Sequence, residues 1–409
     1  DPPESARFAE HAMVKVVCVL YEDPKGGAPL TYARDSIPQI EDVDLHRTPA
    51  AVDFKPGELL GSVSGELGLR KFLEDRGHQL VVTSSKDGPD SVFDRELHDA
   101  DVVISQPCWP AYMTEKRFAR APKLKLCITA GIGSDHVDLD AACKHGVTVA
   151  EASYATWWSS IAEHTVMMIL GMVRNYLPAH EIARHGGWDV ADCAARSYDL
   201  EGMHVGSVHA GRVGLAVLSR LKPFGVHLHY THPRRLPREL EQTLGLIYHP
   251  DAESMVRVCD VVTISGPLHP GTEHLFDRRL IGHMKRGAYL VNTARGKICD
   301  ADAVKDALEA GQLAGYAGDA WFPQPAPESH PWRTMPHSGM TPQMSGATLS
   351  TQARCAGAVR KILECYLDDK KLPEDFVIAQ GGKLAGGYSL SPSGYGDITK
   401  GSEAAADFR

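Results

Sequence analysis

No two cysteines in this chain are spaced as CxxC, and the nine present, scattered singly from Cys18 to Cys365, make an odd total. That argues against a disulfide framework and suits free thiols in a reducing compartment, most simply the cytoplasm. Positive charge is also short. Lys and Arg number 43 against 52 Asp and Glu, leaving a formal net charge of -9. Such a balance argues against a nucleic-acid or anionic-membrane partner, and the pair Arg234-Arg235 is too brief to overturn it. A long apolar run is missing as well, since the best stretch, residues 161–173, is interrupted by Glu163 and His164. No opening segment joins a basic region to an apolar core, so neither secretion nor membrane spanning is expected. Met13 stands directly before the first strand-like run, and Asp1 to Ala12 reads as an extension or a processed leader. No repeat of solenoid length is present.

What remains is ample for a globular enzyme. With 43% apolar residues in 409 positions, the chain can bury two cores of ordinary size. Short β-branched runs at 14–21, 79–83, 101–105, 124–129 and 147–150 alternate with helical patterns, which predicts a parallel α/β domain. Ser160-Ile161-Ala162-Glu163 offers a capping box at the head of an apolar helix running to Arg174, with Pro178 beyond its end. A second series of six runs, at 204–209, 226–230, 246–249, 260–264, 288–292 and 313–319, suits a complete dinucleotide-binding sheet. From Gly386 onward Gly, Ser and Pro dominate without a hydrophobic period, the pattern of a segment without a core of its own.

Several segments then occur in order: Thr129-Ala130-Gly131-Ile132-Gly133-Ser134-Asp135-His136, Val291-Asn292-Thr293-Ala294-Arg295-Gly296, Trp321-Phe322-Pro323-Gln324-Pro325-Ala326-Pro327, and Gly339-Met340-Thr341-Pro342-Gln343-Met344-Ser345-Gly346. Together they closely resemble NAD-dependent formate dehydrogenases, a branch of the D-2-hydroxyacid dehydrogenases, over residues 14–386. The resemblance implies two Rossmann-like α/β domains. One is a discontinuous, flavodoxin-like catalytic domain (1–157 and 345–409), and the other a doubly wound dinucleotide-binding domain (158–344). It also implies a helix over 351–367 and a homodimer through the cofactor domains.

The cofactor site is legible in the residues. His209-Ala210-Gly211-Arg212-Val213-Gly214 follows one run and opens a helical pattern, a modified glycine fingerprint whose backbone can approach a pyrophosphate at a helix N-terminus. A lone GxxG is most often an ordinary tight turn; its place between strand and helix raises it. His209 fills the first position, where the wider superfamily has glycine and bacterial formate dehydrogenases often alanine, so its ring must tilt away or crowd the phosphates. About 20 residues on, where an acidic residue would accept the ribose hydroxyls of NAD, the chain reads Thr231-His232-Pro233-Arg234-Arg235. Arg234 or Arg235 suits a 2′-phosphate, and the cofactor reading is therefore NAD or NADP. Alternatively both arginines sit on a solvated loop and His232 merely caps the turn. The resemblance further places Pro267, His269, Thr293, Asp319, Ser345 and Gly346 on the cofactor side.

The chemical site is edited. The resemblance makes Arg295 the anchor of a substrate carboxylate, a task suited to a planar cationic fork, with Ile132 beside the substrate and Gln324 holding the catalytic histidine. Gln343 stands where that histidine belongs. An amide exchanges no proton near neutral pH, so general acid or base work is excluded there. That counts against ordinary 2-hydroxyacid chemistry but not against formate oxidation, in which hydride leaves carbon and carbon dioxide departs. The family's substrate-binding asparagine is also gone. Thr156 and Trp157 are its nearest counterparts, and the adjacent tryptophans read equally as pocket wall or as core and dimer contacts. Cys108 replaces a family phenylalanine. His136, His164 and His330 lack metal-ligand spacing and read as core or interdomain histidines, and Pro323 to Pro327 reads as a rigid active-site loop. The expectation is an NAD(P)-dependent oxidoreductase acting on a small carboxylate, formate by default. Its alternative is a repurposed scaffold that binds a ligand, or performs non-redox chemistry, in the old cleft.

Overall fold

The central strands of both sheets are sealed from water, while the edge strands are partly exposed. Lys15–Val19 and Ala288–Asn292 are buried along their whole length, as central strands covered by helices on both faces must be. The computed structural model describes residues 13–21, 68–154 and 157–385. The opening segment Asp1 to Ala12 and the tail from Gly386 lie outside these. The chain divides into two units, Asp1–Ala155 with Gln352–Ala385, and Thr156–Thr351.

The first unit holds β1 (Lys15–Val19), β2 (Gln79–Thr83), β3 (Val102–Ser105), β4 (Leu126–Thr129) and β5 (Thr148–Glu151). They lie side by side in the order β2-β1-β3-β4-β5 and run parallel, the flavodoxin-like order. The second unit carries β6 (His204–Val208), β7 (His227–Thr231), β8 (Leu246–His249), β9 (Val261–Ile264), β10 (Ala288–Asn292), β11 (Leu313–Gly318) and β12 (Ser338–Met340). Their order, β12-β11-β10-β9-β6-β7-β8, reverses between β6 and β9. That reversal is the doubly wound switch point, outside which ligands of such sheets bind. Back in the first unit, β13 (Val377–Gln380) pairs antiparallel with β5, and β14 (Lys383–Leu384) pairs with β13.

Two expectations need correcting. The second sheet has seven strands rather than six, because Ser338–Met340 adds to the edge of β11. The apolar helix begins at Trp157, not after a cap at Ser160, and ends at Val173. Ser160 sits inside it and donates its hydroxyl to the Ser345 carbonyl at 2.8 Å, so the side chain expected to cap the helix is spent on a distant loop. The helix expected over 351–367 spans Leu349–Leu367. Among the described residues, no helix is long and apolar enough to cross a membrane.

The second sheet also carries a row of histidines across three strands. His204 Nδ1 lies 2.8 Å from His229 Nε2, and His229 Nδ1 lies 2.9 Å from His249 Nε2, while the His227 ring stacks on His204. His229 is only 4% exposed. Its pKa is pushed down to about 4, first by burial and then by His249, His204, His227 and Lys285. Among the described residues no group of three or more His, Cys, Asp or Glu side chains is arranged to hold a metal ion; these imidazoles form a chain rather than a cage.

The sign of the linkage follows. A histidine whose folded pKa lies below its unfolded value of about 6.5 stabilises the fold fully above that value, and the stability is lost as pH falls towards the folded pKa. Thermal unfolding followed at about pH 7.5 and about pH 4.5 should therefore show a drop in Tm that shrinks in His229→Gln by roughly 2–4 °C for each kcal/mol of linkage removed. Parallel curves for the two proteins would rule out His229 as the titrating group.

Candidate active site

All the candidate cofactor residues of the second unit lie just past the C-terminal ends of its parallel strands. The turn after β6 enters the helix Arg212–Leu221, which buries Leu215, Val217, Leu218 and Leu221. Gly214 is obligatory there, because a Cβ would stand 2.3 Å from the His209 carbonyl oxygen. Elsewhere in this unit Asp251, Asp277 and Asp300 cap their helices through side-chain acceptors. Gly211, at the head of this one, supplies none. Its first amides and the positive end of its dipole are thus left to an anion at the switch point.

His209 takes a left-handed φ of 70° and turns its ring towards Gly266 after β9, where a Cβ would lie 2.2 Å from His209 Nδ1. The ring meets His232 edge-on at 5.7 Å, and its buried Nδ1 has no hydrogen-bond partner. Burial, then His232 and His269, pushes its pKa down to about 4, so it stands neutral beside the place a pyrophosphate would occupy. His232 Nδ1 accepts from the Ala210 amide at 3.3 Å, which is the turn-capping alternative. Arg235 is committed elsewhere: its fork grips Glu241 at 2.8 and 2.9 Å. Arg234 and Arg235 are both exposed at that end of β7. After β9, the Pro267 carbonyl accepts from Thr272 Oγ1 at 2.7 Å, and His269 Nδ1 accepts the Gly271 amide at 3.1 Å.

The turn after β10 shapes the arginine. Asn292, fully buried, donates Nδ2 to the Arg295 carbonyl at 3.0 Å and accepts the Ala294 amide through Oδ1 at 3.0 Å. Thr293 Oγ1 meets Thr165 Oγ1 at 2.9 Å. Gly296 lets this turn pack on Trp321, whose carbonyl carbon would lie 2.4 Å from an added Cβ. Arg295 itself is half-buried, with Nη1 donating to the Ala294 carbonyl at 3.0 Å.

Past β11 and β12 the loop bearing Gln343 is tied to one carboxylate. Asp319, 1% exposed, accepts the Thr341 hydroxyl at 2.5 Å, the Met344 amide at 2.8 Å and the Ser345 amide at 2.8 Å. Gln343 has a left-handed φ of 53°, and its buried Oε1 has no hydrogen-bond partner. Gly346 continues the same turn, and Gln324 is half-buried between two cis prolyl bonds.

The remaining candidates are placed differently. Cys108 and Ile132 belong to the first unit, past the ends of β3 and β4; Cys108 Sγ donates to Gln106 at 2.9 Å. Thr156 and the side chain of Trp157 lie outside the described residues. Trp158 packs against the core of the second unit, with the Arg212 guanidinium 5.4 Å from its ring. Sequence reasoning missed Thr341, Glu151 and the way Asn292 braces the arginine turn. Glu151, 3% exposed, accepts the Gly133 amide at 3.0 Å and the Ser134 hydroxyl at 2.9 Å, fixing the Ile132 loop. An acid closing a buried strand was the signal available for it.

Comparisons with known proteins agree with this geometry. Residues 166–345 match the family described as D-isomer specific 2-hydroxyacid dehydrogenase, NAD binding domain. Formate dehydrogenase of Pseudomonas sp. (strain 101) is 62% identical over 400 residues, covering 97% of this chain and 99% of the relative. The solved formate dehydrogenase of Granulicella m. superposes with a TM-score of 0.86 at 61% identity, covering 91% of this chain and 100% of that one. The NAD-dependent formate dehydrogenase of Staphylococcus aureus, solved in complex with NAD, gives 0.75 at 36% identity, covering 90% and 99%. With identity of this depth over nearly the whole length, the chain belongs to the formate dehydrogenase family of the D-2-hydroxyacid dehydrogenases.

Proposed function

We propose that this protein oxidises formate with NAD or NADP, hydride passing from the formate carbon to the nicotinamide. The observation that carries the reading is one row of turns past the ends of parallel strands: an uncapped glycine turn at the switch point, an arginine turn, and a loop locked to a carboxylate. The second unit acts as the dinucleotide-binding domain and the first as the catalytic one. Backbone amides of Arg212, Val213 and Gly214 receive the pyrophosphate, which Gly211 and Gly214 allow to come close. His209 borders it, and Pro267, His269 and Thr293 line the following turns. His232 and Arg234 face the adenosine ribose, and the absence of a carboxylate there leaves a 2′-phosphate unopposed. Asp319, Ser345 and Gly346 hold the nicotinamide end, whose ring supplies the hydride acceptor when bound.

On the substrate side Arg295 pairs with the formate carboxylate, with Gln343 and Gln324 as the further candidates of the same unit; Ile132, Cys108, Thr156 and Trp157 stay candidates on the family resemblance alone. The C–H bond breaks with its electron pair going to the acceptor, and the remaining carbon becomes carbon dioxide. No proton changes hands, so an amide at position 343 can orient the anion without titrating.

A second copy of the chain completes the reading. Around the helices Tyr176–Arg184 and Val190–Ala195, Tyr176, Trp188, Val190 and Tyr198 are exposed, Trp188 by 89%. Large apolar side chains exposed on neighbouring segments suit an interface core, and they support a homodimer through the second unit. The nine free cysteines support a reducing, cytoplasmic setting.

Steady-state assays with formate should give reduction of NAD, NADP or both. Arg295→Ala should lower kcat/KM for formate by roughly 10- to 100-fold, the range for losing charge-assisted hydrogen bonds. If a calorimetric titration records binding of both dinucleotides and neither is reduced, formate is the wrong substrate; if neither binds, the repurposed-scaffold alternative gains. Light scattering should return twice the 44.5 kDa chain mass, and the double change Trp188→Glu with Val190→Glu should return the single mass. A dimer unaffected by both charges would place the interface elsewhere.

A further inference from the structure

We propose that His164 is a positioning residue of this dehydrogenase site, acting through Thr341 on the Asp319 carboxylate and so on the loop that carries Gln343. The inference rests on the dehydrogenase reading for its catalytic consequence, but the linkage itself is a matter of hydrogen bonds within the second unit. His164 lies on the helix Trp157–Val173, its side chain 11% exposed. Its Nε2 stands 3.1 Å from Thr341 Oγ1, and that hydroxyl gives its only proton to Asp319 Oδ1. A hydroxyl that donates to a carboxylate can still accept. The proton between His164 and Thr341 therefore belongs to the imidazole, which fixes the Nε2–H tautomer and leaves Thr341 held from both sides.

The same carboxylate also receives the Met344 and Ser345 amides. It is thereby bonded on both flanks of Gln343, one position removed at Met344 and two at Thr341 and Ser345. The Trp321 indole donates to the Thr341 carbonyl at 2.8 Å, so Thr341 is a node joined to helix, carboxylate and the Trp321 loop at once. Gln343, by contrast, sits in a left-handed conformation with an orphaned Oε1. Nothing in its own side chain holds it in place; the neighbours do. With about four lone-pair sites on a carboxylate and three donors already in place, Asp319 serves first as the clamp of this loop.

The charged surroundings of His164 are simple. Asp319 Oδ1 is 3.9 Å away. Glu163, the acid beside His164 on the same helix, is met by Arg220 at 3.6 Å. Burial lowers the pKa of His164 and Asp319 opposes that shift, so the imidazole is neutral at neutral pH. Charging it in acid would set a cation against Asp319 and compete with the Thr341 bridge. A site whose residue 343 cannot titrate would in this way acquire an acid limb from a group that never touches substrate.

The test compares His164→Leu, which removes the donor, with His164→Gln, which keeps an N–H at similar reach but does not titrate. In His164→Leu, kcat with formate should fall by about tenfold, the order expected when a buried polar group loses its partner. His164→Gln should recover kcat to within about threefold of the parent and lose the acid limb of its pH profile. Leucine without effect, glutamine as impaired as leucine, or an unchanged acid limb in His164→Gln would each overturn the proposal. A second readout does not depend on turnover: the indole ¹H–¹⁵N signal of Trp321, assigned with Trp321→Phe, should shift in His164→Leu and stay near its place in His164→Gln. If the parent reduces neither cofactor with formate, the dehydrogenase reading fails by itself. The linkage is then decided by this signal, and an unmoved Trp321 resonance in His164→Leu refutes it.

Discussion

A carboxylate sealed from water organises the reactive end of this molecule. Burying an ion without partners costs several kcal/mol even after relaxation, about the whole margin by which a domain is stable. Asp319 is tolerated only because donors converge on it, and every one of them comes from the segment between Thr341 and Ser345. The cost of the charge and the conformation of the loop are one constraint. Were the loop to take another path, Asp319 would be left an uncompensated anion in the core. That energetic penalty allows a strained, orphaned Gln343 to keep a defined position with no bond of its own.

The sheet explains why such an arrangement sits where it does. Parallel strands end together, and the turns after β6, β7, β9, β10, β11 and β12 form one row past the C-terminal ends. The order reversal between β6 and β9 opens that row where the uncapped helix Arg212–Leu221 begins. Close packing then selects glycine wherever one turn must touch another: Gly214 against the His209 carbonyl, Gly266 under the His209 ring, Gly296 against Trp321. His209 in the first position of the glycine turn does not block this geometry locally, since its left-handed backbone swings the ring onto Gly266 and His232. The same swing makes Gly266 indispensable, which the glycine fingerprint alone does not reveal.

Much of this was legible in the sequence, and what was not has a common cause. Each of the eleven expected strands forms, the central ones as buried apolar runs. β12 was missed because Ser338-Gly339-Met340 carries no strand signal; it is extended by the edge of β11 rather than by its own propensity. Ser160 was misread as a cap because its partner, the Ser345 carbonyl, lies 185 residues away, beyond anything a local motif can weigh. The pairing of Arg235 with Glu241 was not legible either, because it forms only when the turn after β7 folds onto the following helix. The glycine turn, Arg295 and the altered Gln343 were legible because they depend on short segments with fixed spacing. Thr341 and His164 were not, since a hydroxyl and an imidazole 177 residues apart become one network only when helix and loop are packed.

The replacement of a titratable group by glutamine changes how charge is distributed at such a site. An imidazole at position 343 could lend a positive charge to anion binding; an amide cannot, so on the proposed reading the work of attracting a carboxylate falls more heavily on Arg295. Its turn is correspondingly over-determined, with the buried Asn292 bonding to both Ala294 and Arg295 and Gly296 locking the turn onto Trp321. Hydride transfer from formate is the member of this chemistry that best survives the exchange, because its transition state spreads the anion's charge towards the nicotinamide and asks no residue for a proton. A 2-hydroxyacid would need a base where none stands. The retained arginine turn and the lost acid–base group therefore point the same way, to a site whose selectivity comes from what position 343 can no longer do.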